Sequence, residues 1–103
     1  DEAIQKEPKI RQSLLLAYQI KELLKEGKAK DLKQIADWLN ITYTKMYLLL
    51  NMVMLAPSIQ EEILFSGDDI LNRIPEYKMN EITREIYWNK QKKMWQELKA
   101  ELA

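Results

Sequence analysis

Cysteine and histidine are both absent from this chain of 103 residues. That removes a disulfide scaffold and every zinc site that relies on Cys or His. It also removes thiol and imidazole catalysis. Glycine occurs twice and proline three times, so no Gly-rich phosphate loop can be drawn and tight turns are few. Charge of one sign is missing too: 16 basic residues are balanced by 16 acidic ones, for a formal net charge of +0. An apolar run of the ~18 residues that a membrane span needs is lacking. The longest run, Met46 to Ala56, is broken by Asn51. Nor is there a signal-peptide pattern. No membrane partner is therefore expected, and a cytoplasmic location is. The chain starts at Asp1, not Met, as an excised or processed piece of a longer protein would.

What is present favours helices. Leu, Ile, Lys, Glu, Gln and Met dominate, and β-branched runs do not occur. The length suits one domain over 1–103. The expected fold is all-α, a bundle of about five to six helices. Residues 1–7 form a polar, flexible lead-in. Pro8 suits a first helical turn. From Ile10 the apolar positions recur at helical spacing through Leu14, Ala17, Ile20 and Leu24, which predicts a helix over about 8–26 with Gly27 as its stop. Asp31 with Gln34 makes a capping box for a second helix over about 32–39, whose inward positions are Leu32, Ile35, Ala36 and Leu39. Asn40 tolerates the left-handed turn conformation. Thr42 is the candidate cap of a third helix over about 43–55. Pro57 opens a fourth with Ser58 and Glu61 as a capping pair, "DDILNR" reads as a short helical turn, Pro75 starts a fifth helix to about Ile82, and the last runs over about 86–101.

The second and third helices fit the helix-turn-helix frame. Ala36 is the small residue that lets the two helices approach. Ile35, Leu39, Ile41, Met46 and Leu49 occupy the apolar positions. On a helical wheel Met46, Leu49, Leu50 and Val53 form the inward arc of the third helix, and Thr44, Tyr47, Leu48 and Asn51 the outward one. In such a unit the N-terminal part of the outward arc enters the major groove.

The chain carries further motifs. Pro8, Lys9 and Ile10 form a Pro-basic-Ile entry, Leu55–Ala56–Pro57 with Ile59–Gln60–Glu61 forms a "LAP-x-IQE" element, and Trp88, Gln91 and Trp95 form a Trp-x-x-Gln-x-x-x-Trp tail. With these, residues 8–98 resemble the helix-turn-helix domain of ParB/KorB-type proteins, most nearly the small prophage- and recombinase-associated bacterial ones. The resemblance implies DNA binding in transcription regulation or as an accessory to DNA recombination. Two departures stand out. Tyr43 occupies a position where Arg is favoured, and these residues hold no counterpart of the family's nucleotide-binding domain, so partition chemistry is not implied.

The candidate DNA-contacting residues are Thr42, Tyr43, Thr44, Lys45, Tyr47, Leu48, Asn51 and Lys33, with Lys9 and Arg11 as candidate phosphate contacts. Lys28, Lys30 and the run Asn89–Lys93 are weaker candidates. Each has a plainer role open to it: Thr42 as a cap, the tyrosines as amphipathic surface residues, the lysines as solvated charge, and Leu48 as a side chain covered by the C-terminal segment. Trp88, Trp95, Leu98 and Leu102 recur as a heptad-like stripe, which suits either a homodimer seam or the subunit's own core. Adjacent acids such as Glu61/Glu62 and Asp68/Asp69 diverge on a helix. No enzyme, cofactor, metal or small-molecule substrate is therefore expected. The partner expected is double-stranded DNA, and the competing function is an all-α protein-interaction module.

Overall fold

A computed structural model describes residues 7–103, so the expected lead-in over 1–7 lies almost wholly outside the described residues. Six α-helices follow one another: α1 (Lys9–Lys25), α2 (Leu32–Leu39), α3 (Tyr43–Asn51), α4 (Pro57–Phe65), α5 (Glu76–Arg84) and α6 (Trp88–Leu102). Short 3-10 turns, Met52–Met54 and Asp69–Arg73, precede α4 and α5. No strand occurs among the described residues, and the molecule is an all-α slab of 42 × 41 × 21 Å.

The ends of the helices obey local chemistry. Gly27 takes φ +73°, the left-handed conformation that a side chain resists, and closes α1. Two expectations fail at α3 and α4. The third helix is α-helical only to Asn51 and tightens into the 3-10 turn, after which the axis turns by 106° into α4. Ser58 does not cap α4. The cap position is Ala56, which has no side-chain oxygen. Its backbone N–H donates instead to Oε1 of Gln91, 35 residues further on, at 2.7 Å.

Helix α1 is the spine, shared by two apolar clusters. Its first half gives Ile10 and Leu14 to a core completed by Met52, Leu55, Ile59, Ile63, Leu71, Met79, Ile82, Trp95 and others from the elements that follow α3. Its second half gives Ile20 to a smaller core with Ala29, Ile35, Ala36, Met46 and Leu49. Leu39, expected inward, is 40% exposed. Of the inward arc expected on α3, Met46 and Leu49 are buried, Leu50 and Val53 are half-buried, and Met52 in the 3-10 turn takes up the remaining contact.

A polar joint ties the C-terminal helix to α4. Gln91 is 1% exposed. Besides capping Ala56, it donates through Nε2 to the carbonyl of Glu85 at 2.6 Å. Gln60 donates to the carbonyls of Val53 and Leu55 at 3.0 and 2.8 Å. Trp95 Nε1 donates to Glu62 at 3.0 Å, and Lys99 pairs with the other oxygen of the same carboxylate. The "LAP-x-IQE" element and the Trp-x-x-Gln-x-x-x-Trp tail, joined through the Ala56–Gln91 bond, are therefore one joint in space. Its burial explains why its polar groups are matched: an unpaired buried donor would cost about 1–3 kcal/mol, and no buried side-chain polar atom among the described residues lacks a partner.

Candidate nucleic-acid interface

The α2–turn–α3 unit is built from three caps. Asp31 Oδ1 accepts the N–H of Gln34 at 2.9 Å, and Gln34 reaches back to the N–H of Lys30 at 2.7 Å. At the turn Asn40 adopts φ 56°, ψ 46°. The N–H of Ile41 then closes on the carbonyl of Ala36 at 3.0 Å and that of Asn40 on Asp37 at 3.2 Å, a Schellman-type closure for which the left-handed residue is required. Thr42 takes extended backbone and its Oγ1 accepts the N–H of Lys45 at 3.1 Å. Its hydroxyl oxygen is thus engaged in starting α3. Ala36, 4% exposed, lies in the small core beside Met46 and Leu49.

This geometry sorts the candidate contacts. Tyr43, Thr44, Lys45 and Tyr47 are exposed on the first two turns of α3, and Asn51 is half-buried at its end. Tyr43 and Tyr47 stand one turn apart with ring centroids 5.0 Å apart at 86°, an edge-to-face pair that holds both rings on the outer surface. The Tyr43 phenol is raised above the ordinary value, first by the adjoining Tyr47 side chain, then by partial desolvation and the Asp31 charge. It stays neutral and able to donate a hydrogen bond at physiological pH. Lys33 is exposed on the first turn of α2, with Asp31 and Asp37 on either side in sequence.

Three candidates change role. Leu48 does not join the outward face. It is half-buried and borders a small cavity between α1, α3 and α5, beside Ser13, Glu76 and Met79. The wheel placed it outward because sequence periodicity does not reveal that α5 folds back over that side of α3. Arg11 is not a free cation for phosphate. Its Nε donates to the carbonyl of Ile63 at 2.8 Å and its Nη2 to that of Ser66, closing the unsatisfied C-terminal end of α4. The tail stripe does not form a continuous seam. Trp95 and Leu98 are 1% and 8% exposed inside the subunit's own core, Leu102 packs half-buried against that core, and Trp88 alone stays open at 52%.

Two positive charges meet a negative one at the edge of α3. Lys45 Nζ lies 3.5 Å from Glu76 at the start of α5. Lys9, exposed on the first turn of α1, borders the same depression as Lys45 and Glu76. Lys28 pairs with Glu26 at 3.3 Å. Lys30 is exposed on the connector, and in the run Asn89–Lys93 only Gln91 is buried. Sequence reading missed Glu76 altogether, since nothing in the pattern links a residue on the fifth helix to the third. It also missed Trp38, 56% exposed near the end of α2.

No single helix among the described residues is long and apolar enough to cross a membrane, and no group of three or more acidic side chains among them is placed to hold a metal ion. Set against known protein families, curated proteins and solved structures, the chain matches none of them.

Proposed function

We propose that this chain is a DNA-binding helix-turn-helix domain that reads duplex DNA with the outer face of α3, in transcription control or as an accessory to recombination. The observation that carries the reading is the division of labour on α3. Met46 and Leu49 serve the core, while Tyr43, Thr44 and Tyr47 stay exposed at the N-terminal end, where a helix of this kind meets base edges. Thr44 suits a base edge or a thymine methyl. The two phenols suit phosphate or sugar, and Asn51 suits adenine at the deeper end. Lys45, on α3 itself, and Lys9, which borders the same depression, supply positive charge beside this face, and Lys33 is exposed on the first turn of α2. With a net charge of +0, attraction to DNA comes from this local set and not from the whole-molecule field. The reading needs no cofactor.

Titration of mixed-sequence duplex DNA at low salt tests this. Affinity that falls steeply as salt rises is expected, since phosphate contacts release counterions. Absence of any affinity at low salt would remove the reading, because even non-specific binding appears there.

A second reading has its own observation. Phe65, Ile86, Tyr87 and Trp88 are 79%, 78%, 60% and 52% exposed, all outside the helix-turn-helix unit. Large apolar side chains left open in this way suit contact with another protein. A domain that binds protein alone would retain its partner after Tyr47→Ala and show no DNA affinity.

A further inference from the structure

We infer that Glu76, on α5, is an internal counter-anion that holds Lys45 of the reading helix away from DNA, so that α5 restrains the affinity of the site. The inference rests on the DNA-binding reading above and names a control built into it.

The carboxylate does not swing freely. Glu76 Oε2 accepts the hydroxyl of Ser13 at 2.6 Å, and Ser13, at 9% exposed, is fixed in α1. That same oxygen lies 3.5 Å from Lys45 Nζ. A residue outside the helix-turn-helix unit thus places a negative charge, anchored from α1, against a cation in the first turn of α3. Lys9 borders the same depression, so the acid stands beside two of the cations that a phosphate would meet. A phosphate approaching Lys45 must displace the carboxylate and is also repelled by it. The ion pair is open to solvent, with side chains 46% and 38% exposed, so its hold is weak enough for DNA to break. The effect is a tuning of affinity, not a block.

Glu76→Gln tests this, because the amide keeps an acceptor for Ser13 and loses the charge. Duplex binding should tighten by about 2- to 5-fold at low salt, the range expected from releasing one exposed pair. The salt dependence should steepen by about one unit of slope, as one more phosphate contact forms. In a Lys45→Ala background the gain should shrink to the size of the general charge effect that Glu81→Gln gives. Glu81→Gln, an equal charge change at an exposed position on the same helix, should give less than half of it. Circular dichroism checks the fold of each variant, and Glu76→Ala provides a second variant expected to tighten binding in the same way. Unchanged or weaker binding in the Glu76 variants, with the parent chain binding DNA normally, overturns the inference alone. A gain that keeps its full size without Lys45 overturns it equally. No DNA affinity in either the parent or Glu76→Gln overturns the DNA-binding reading along with it.

Discussion

The core under α4, α5 and α6 is made of fourteen buried side chains that include Trp95 and six isoleucines, whereas the core under α2 and α3 is made of six, two of them alanines. The first is locked by buried polar bonds through Gln91 and Glu62. The second is held by backbone caps at Asp31, Asn40 and Thr42 and is rimmed by half-buried leucines. Apolar burial stabilises at roughly 25 cal/mol per Å², so the larger core supplies most of the stability and α1 transmits it to the smaller one. The smaller lobe can therefore keep a helix, α3, whose outer face contributes little to folding.

Substitutions can break this contrast, beginning in the large core. Trp95→Ala should destabilise by about 3–5 kcal/mol, from lost packing and a cavity. The Glu62 carboxylate also loses its indole donor. Denaturant unfolding followed by circular dichroism measures it, and a loss under about 1 kcal/mol would mean the large core does not dominate. Gln91→Ala should cost about 1–3 kcal/mol because the Ala56 N–H is left buried without an acceptor. The same titration reads this value, and an unchanged midpoint would dissolve the proposed joint. In the small core, Asn40→Ala should cost about 1 kcal/mol for the left-handed conformation and Asn40→Gly should cost less. Equal stabilities of the two would argue against the closure at the turn.

The smallest expected effect concerns pH. With no histidine in the chain and the Tyr43 phenol raised, DNA affinity should be flat from about pH 7 to about pH 9. The sign for stability follows. A phenol whose folded value lies above its unfolded one favours folding below the unfolded value, near 10, and that contribution disappears as pH climbs through the folded value. Affinity titrations across that range check the plateau, and a midpoint inside it would require a titrating group not described above.

Much of this was legible in the sequence. The periodicity of α1, the capping box at Asp31, the left-handed Asn40 and the Thr42 cap are local features, and each was read from a few neighbouring residues. What escaped is what depends on distant packing. Arg11 reads as a surface cation, but the C-terminus of α4 lies close enough to take its guanidinium. Leu48 reads as outward because only the fold brings α5 against it. Trp88, Trp95 and Leu98 share a spacing, but the subunit's own core takes the latter two. Hydrophobic spacing tells that a face is to be covered and is silent on whether the same chain or another covers it.

The claim at the centre of this account is that the outer face of α3 is free of duty in folding and available to DNA. Measuring unfolding stability and duplex affinity together on Thr44→Ala and Tyr47→Ala tests it most directly. Stability should stay within about 0.5 kcal/mol of the parent, as for exposed positions, while affinity for DNA falls. Unfolding of either variant, or affinity equal to the parent's in both, would contradict it.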